Sequence, residues 1–319
     1  MPITRQSPNP ISRKRRATDP PVVGGRPVQL VSPSVYLPFL LLLAAVFGLW
    51  IHRAIWIGAL LAAIIAGYFS GALYGAAALW IVVLAALAIS YQRARDSRSQ
   101  SKLTWQVLAG LAFFLYALAM GLSLLPGFNR VELVAPVVLS AQAAPYAIAV
   151  GFPKVVTGIV ILGLINPLLV QSWRELGHVL VRALPVYAVT AVVGMLFVVL
   201  MGYSSFAPKW TALFLLFAPI NLFFTCLAEE AFFRGFVQHE LANIGTRRAL
   251  ATGIALVAAA ILFGLAHFAG GLIYVIAAAI AGLGYGWAFM RDQRIEASMC
   301  VHFGVNATHF LLFVYPRLA

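Results

Sequence analysis

Long apolar runs alternate with short polar stretches along the chain from Tyr36 onward. Runs of about 20 apolar residues are long enough to cross a bilayer as helices. Residues 36–90 are hydrophobic almost throughout and fit either two long spans or three short ones. The clearer predicted spans are residues 103–125, 154–172, 183–202, 210–241, 248–268, 271–290 and 297–315. The pattern therefore predicts an all-α fold, a polytopic transmembrane helical bundle of about eight to ten spans.

Two stretches interrupt this pattern. Residues 1–33 are rich in Pro, Ser and Arg and include the basic run Arg13 to Arg16, so we expect a disordered, basic, cytoplasmic tail. Residues 126–153 contain four prolines and are too broken for a simple helix. We expect this second stretch to be re-entrant or to lie at the membrane interface.

Composition narrows the class of protein. The chain is 62% hydrophobic and only 10% charged, which excludes an ordinary soluble globular protein. Its formal charge of +13 could indicate a nucleic-acid partner, but the basic residues cluster in the tail and in short loops. That placement favours positive-inside topology, so we expect the lipid bilayer and no nucleic acid as partner. The expected location is multi-pass in a prokaryotic plasma membrane, with cytoplasmic loops that hold Arg174 and Arg182, Arg247 and Arg248, and Arg291 and Arg294.

Two adjacent carboxylates, Glu229 and Glu230, lie within continuous hydrophobic sequence, whereas the other seven acidic residues lie in the tail, in polar loops or near segment ends. An ionisable group at membrane depth is costly and indicates a functional site. Arg234 follows Glu230 by four residues, the spacing of a helical ion pair. Glu229 points about 100° away and stays available for another partner. A purely structural ion pair would explain Glu230 and Arg234 but not Glu229.

Two further predicted helices carry polar groups in apolar surroundings, at His267 and at His302 with Asn306, and His309 extends the second stripe. A lone histidine in an apolar helix is more often a packing residue, but three such helices favour a shared hydrated pocket. Glutamate, histidine and water form a general-base arrangement, and histidine with asparagine can donate hydrogen bonds to an oxyanion. Counted along the helices, Glu229, His302 and His267 lie at roughly 20, 12 and 30 Å depth, so tilt or unwinding at Gly235 is needed.

The strings Glu229-Glu230-x-x-x-Arg234, Phe263-x-x-x-His267 and His302-x-x-x-Asn306 resemble, in that order, the three motifs of the CPBP family. This family covers CAAX-prenyl-protease-like and bacteriocin-processing intramembrane proteins, also called Abi proteins. The resemblance covers residues 154–315 and implies a glutamate-dependent intramembrane endopeptidase.

The resemblance also implies the role of each motif residue. Glu229 and His267 would activate the water, His302 and Asn306 would stabilise the oxyanion, and Glu230 and Arg234 would support the site. We accordingly divide the chain into the tail, 1–33, an N-terminal transmembrane region of unassigned role, 34–150, and a CPBP-like catalytic domain, 151–319. The expected substrate is a membrane-associated protein or peptide, and nothing in the sequence indicates whether it is prenylated.

Two alternatives to this enzyme remain open. Buried Glu and His residues also mark proton relays, so a proton-linked transporter or a non-catalytic scaffold or immunity protein is a second hypothesis. A zinc hydrolase is a third, because Glu229, His267 and His302 could ligate zinc. The typical helical ligand spacing is missing and Arg234 adds positive charge nearby, so we predict neither metal nor cofactor. Cys226 and Cys300 lie in apolar segments and are interpreted as packing residues, and no oligomeric state is indicated.

Overall fold

The computed structural model describes residues 22–23, 26–27, 35–96, 102–243 and 248–319. Most of the predicted tail, 1–33, and Arg247 of the predicted basic loops lie outside these residues. Within the tail, strands β1 (Val22–Val23) and β2 (Arg26–Pro27) pair antiparallel.

The described residues are mostly helical and form ten helices, which confirms the helical fold. The helices are α1 (Leu37–Gly48), α2 (Arg53–Phe69), α3 (Ala77–Asp96), α4 (Lys102–Gly121), α5 (Phe152–Ile165), α6 (Trp173–Leu200), α7 (Leu213–Ala242), α8 (Arg248–Ala266), α9 (Leu272–Asp292) and α10 (Ile295–Leu312). Six of these ten, namely α3, α4, α6, α7, α8 and α9, are long and apolar enough to cross a membrane by length and composition, so a count of eight to ten spans is not confirmed.

The ambiguous region 36–90 is divided into three helices, and the first two have only 12 and 17 residues. The break between α1 and α2 lies at His52, whose side chain accepts a hydrogen bond from the amide of Ala54 and caps α2. The backbone of His52 is extended, so its cap begins α2 as a helix separate from α1.

The proline-rich stretch between α4 and α5 contains an antiparallel β-hairpin of β3 (Val131–Val137) and β4 (Tyr146–Val150). Gly151 follows β4 directly and caps the N-terminus of α5 with an extended backbone. The hairpin therefore departs from the predicted all-α fold. It leads directly into the first turn of α5.

Helix α6 begins ten residues before the predicted span at 183, because Ser172 accepts a hydrogen bond from the amide of Glu175 and caps it. The expectation that Arg174 and Arg182 lie in a loop is therefore wrong, since both are helical. Hydrophobicity alone placed the start too late, because polar residues can fill the first turns of a capped helix.

Helix α7 is the centre of the bundle and contains two π-helical segments, Asn221–Cys226 and Ala231–Gln238. The helix is not unwound at Gly235. Instead the wider π turn leaves the carbonyl of Gly235 free to accept a hydrogen bond from the side chain of Asn166, at 2.9 Å. Single π turns are frequent at functional sites because they re-aim side chains without ending the helix.

Helices from both halves of the chain pack around α7 in one hydrophobic core that extends from Phe39 to Val305. Phe236 of α7 packs edge-on against Phe113 of α4, with ring centroids 4.9 Å apart. Phe233 packs in the same manner against Phe263 of α8, at 5.1 Å. These contacts fix both faces of α7 and hold its two glutamates inside the bundle.

Candidate active site

Glu230, Arg234 and His302 form a cluster that is closed to solvent. The side chains of Glu230 and Arg234 are 0% exposed, and their predicted ion pair is present at 3.1 Å between Oε1 and Nη1. Arg234 also donates to the carbonyl oxygen of Gly282, at 2.9 Å, and its guanidinium lies 4.7 Å from the ring centroid of Phe263. A buried charge needs this kind of compensation, because desolvation costs several kcal/mol per ion.

Nδ1 of His302 lies 2.7 Å from Oε1 of Glu230, so the carboxylate of Glu230 holds the imidazole in place. The ring of Tyr285 stacks on that imidazole, with centroids 4.4 Å apart and planes 14° apart. These two contacts direct Nε2 of His302 towards Glu229, and the distance from Nε2 to Oε2 of Glu229 is 3.9 Å.

His267 follows the last residue of α8 and is oriented in a similar manner. Its Nδ1 lies 2.7 Å from the carbonyl oxygen of Phe263, and since a carbonyl only accepts, Nδ1 carries the hydrogen. Nε2 of His267 then faces Glu229, again at 3.9 Å from Oε2. Both histidines are anchored through Nδ1, a device that fixes which nitrogen is available for chemistry.

Glu229 is the point at which the three motifs meet. Its side chain is 9% exposed, and its Oε1 accepts a hydrogen bond from Nζ of Lys154 at 2.9 Å. Its Oε2 is buried and has no hydrogen-bond partner among the residues that the structure describes. The two carboxylate oxygens thus differ: Oε1 is bound to a cation, and Oε2 faces the two imidazoles.

Asn306 lies one helical turn beyond His302 on α10, and its Nδ2 donates to Oδ1 of Asn221 at 3.1 Å. Asn221 Oδ1 also accepts from the thiol of Cys226, at 3.3 Å. Nδ2 of Asn306 also lies 3.9 Å from Sγ of Cys226, so its second hydrogen has only a long contact with a weak sulfur acceptor. His309 extends the same face but contacts the carbonyl oxygen of Val314 instead of the other motif residues.

A cavity of about 100 Å³ opens beside Glu229, large enough for a few water molecules. One wall is apolar and comes from the last turns of α4 and from Leu122, which directly follows α4 and has an exposed side chain. Across the described part of the chain, no group of three or more His, Cys, Asp and Glu side chains has a geometry suited to a metal ion. The cavity is lined by Ala117, Leu118, Gly121, Leu122, Lys154, Thr157, Ala228, Glu229, Phe232, Phe233, Ala266 and His267.

Comparison with known families gives a match to part of the chain. Residues 209–308 match the family described as Rce1-like, type II CAAX prenyl endopeptidase Rce1-like. The resemblance to CAAX-protease-like proteins is confirmed. No curated protein and no solved structure gives a significant match. The match indicates a protease in an integral membrane protein and does not favour the scaffold or transporter alternatives.

The matched segment contains all seven residues of the three motif strings but neither Lys154 nor the N-terminal helices. Sequence reasoning missed Lys154 and Asn221, both of which contact a motif residue. Lys154 is a lone charge at the first residue of a predicted span, where it looks like an ordinary helix end. Asn221 is an uncharged polar residue in an apolar run, and that is a weak signal without a known partner.

Proposed function

We propose that this protein is a glutamic intramembrane endopeptidase that hydrolyses a peptide bond of a membrane-associated protein or peptide. The observation that carries the proposal is the convergence of two Nε2 atoms, from His267 and His302, at 3.9 Å from the same oxygen of Glu229. A carboxylate and an imidazole held beside a small cavity are the components of general-base catalysis.

In the proposed reaction, Glu229 and His267 hold the water molecule that attacks the substrate. Oε2 of Glu229 takes a proton from this water while the water oxygen forms a bond to the carbonyl carbon. The proton then passes to the amide nitrogen of the tetrahedral intermediate, and the C–N bond breaks. Oε2 suits this role because Oε1 is already bound to Lys154.

His302 and Asn306 are proposed to stabilise the oxyanion of the intermediate. Because Nδ1 of His302 is bound to the Glu230 carboxylate, donation from Nε2 requires a hydrogen on both ring nitrogens. Asn306 can donate its second Nδ2 hydrogen to the oxyanion in place of the long contact with Sγ of Cys226, while Asn221 fixes the orientation of the amide. Donors that are already oriented before the reaction stabilise developing charge without reorganisation.

The test is to replace Glu229 by Gln, which keeps the shape of the side chain and removes the base. Termini of membrane proteins are compared between cells with the wild-type protein and cells with Glu229→Gln, and the substrates found are then cleaved with purified protein. Cleavage should disappear with Glu229→Gln and persist with Glu132→Gln, which removes a carboxylate from exposed Glu132 of β3. Undiminished cleavage by a folded Glu229→Gln protein would overturn the proposal.

A further inference from the structure

Lys154 lies in the first turn of α5 and is the only lysine or arginine among the residues that line the cavity. A cation is disfavoured at this position, because the N-terminal end of a helix carries partial positive charge. The ion pair between Nζ of Lys154 and Oε1 of Glu229, at 2.9 Å, offsets this repulsion. The lysine therefore gains stabilisation from its contact with Glu229, whereas it does not stabilise its own helix.

The approach of α5 to α7 determines where Lys154 lies. Gly158 is four residues beyond Lys154 and on the same face of α5. A Cβ atom at Gly158 would lie 2.9 Å from Cα of Ala228, so the two helices are in backbone contact next to Glu229. This close packing holds the lysine at the carboxylate even though its side chain is 50% exposed.

We infer that Lys154 is a positioning residue for the proposed hydrolysis, which binds Oε1 of Glu229 and thereby keeps Oε2 ionised and directed at His267 and His302. The inference rests on the proposed function and adds a residue outside the segment that matches the protease family. Lys154 acts through Glu229, since the contact that the structure gives it is with that carboxylate.

Other charged and titratable groups near Glu229 also influence its ionisation. The histidines and Arg234 favour the carboxylate when they are charged, whereas the neighbouring carboxylate of Glu230 opposes it. Lys154 differs from them because, among the residues described, it alone makes a direct hydrogen bond to the carboxylate of Glu229. The groups that face or act on Glu229 are Lys154 of α5, Cys226, Glu230 and Arg234 of α7, His267 after α8, Tyr274 of α9 and His302 of α10.

The positive charge of Lys154 determines the direction in which its removal should shift the protonation of Glu229. An ammonium group in contact with a carboxylate stabilises the ionised form relative to the acid. Without it, Glu229 is protonated at higher pH, so a larger fraction of the protein lacks its base under mildly acidic conditions. The acidic limb of the pH profile of kcat/KM should therefore move to higher pH in Lys154→Met, by about one unit or more.

The experiment compares Lys154→Met, Lys154→Gln and Lys154→Arg in the full-length protein in lipid nanodiscs. Two titrations are recorded: the pH profile of kcat/KM, and the infrared band of the Glu229 carboxyl group, identified by its absence in Glu229→Gln. The matched control is Arg182→Met, which removes another half-exposed cation from an ion pair, with Asp292 at 2.7 Å, outside the cavity.

Both titrations should move to higher pH in Lys154→Met and Lys154→Gln, return close to wild type in Lys154→Arg, and stay unchanged in Arg182→Met. An infrared titration that does not move, or activity that falls equally at every pH, would overturn the role of Lys154. If the infrared titration moves and the kinetic one does not, Lys154 does control Glu229, but the assignment of Glu229 as the base is wrong.

Discussion

Glu229 and Glu230 are neighbours in the chain, but they lie in two different environments. Glu230 is fully buried and contacts Arg234 and His302 at 3.1 and 2.7 Å. Glu229 borders a cavity, contacts a half-exposed lysine, and has its two histidines 0.8 to 1.2 Å farther away than the contacts of Glu230, at 3.9 Å each. The surroundings of Glu230 are closed and its contacts are short, whereas the cavity beside Glu229 leaves room for water.

This difference shows how two adjacent residues of the same type can have different roles, one in holding neighbouring side chains in place and the other in the proposed reaction. Consecutive residues of a helix point about 100° apart, so one carboxylate can enter the packed core while the next one faces a cavity. Glu230 orients His302, and His302 then faces Glu229. The buried cluster of Glu230, Arg234 and His302 thus positions a group that faces Glu229. Variants in the cluster and variants of Glu229 should therefore behave differently.

The largest effect is expected for Arg234→Met in the closed cluster. Removing one member of a buried ion pair leaves the other charge uncompensated and costs about 3–5 kcal/mol. Both thermal stability and cleavage should be lost, as measured by unfolding in nanodiscs and by turnover of a substrate. Arg182→Met is the control, and wild-type stability in Arg234→Met would contradict the supporting role of the cluster.

The two glutamates themselves give the next comparison. Glu229→Gln should lower cleavage by about 10²–10⁴-fold, the usual contribution of a general base, with little change in unfolding temperature. Glu230→Gln should lower both quantities, because its oxygen contacts Arg234 and His302. Equal thermal stability of the two variants would show that the environments do not differ as described.

Asn306→Ala is expected to lower kcat by about 10²–10³-fold, the effect of losing one oxyanion donor. Asn221→Ala should act in the same direction but more weakly, since Asn221 only orients the amide of Asn306. The control is Asn243→Ala, where the exposed amide donates to the carbonyl of His239, away from the cavity. An effect on KM alone would argue against an oxyanion donor.

The smallest effect is expected for Gly158→Ala, at the contact between α5 and α7. The added methyl group must displace the backbone of Ala228, and overpacking of this kind costs about 1–3 kcal/mol. Gly177→Ala of α6 is the matched control, because a Cβ atom there meets nothing within 4 Å. Gly158→Ala should also move the pH profile in the direction of Lys154→Met, whereas an unchanged profile would separate the helix contact from the lysine.

Local patterns in the sequence predicted much of this molecule. Run lengths indicated helices that cross a membrane, and the four-residue spacing of Glu230 and Arg234 predicted their ion pair, which is present. The start of α6 was predicted ten residues too late, because the cap at Ser172 is a single hydrogen bond that hydrophobicity does not report. The hairpin before α5 was also missed, since prolines there indicated a broken helix without defining a strand register.

The sequence by itself determined the membrane class, the helical fold and three motifs that lie within the segment matching the protease family, because each depends on composition or on residues within a few turns. Only the tertiary structure decided which partners complete the candidate site. Lys154 and Glu229 are 75 residues apart in the chain, and Asn221 and Asn306 are 85 apart. Such contacts depend on how helices pack, here through the π turns of α7 and the glycine contact of α5, and no local pattern encodes that packing.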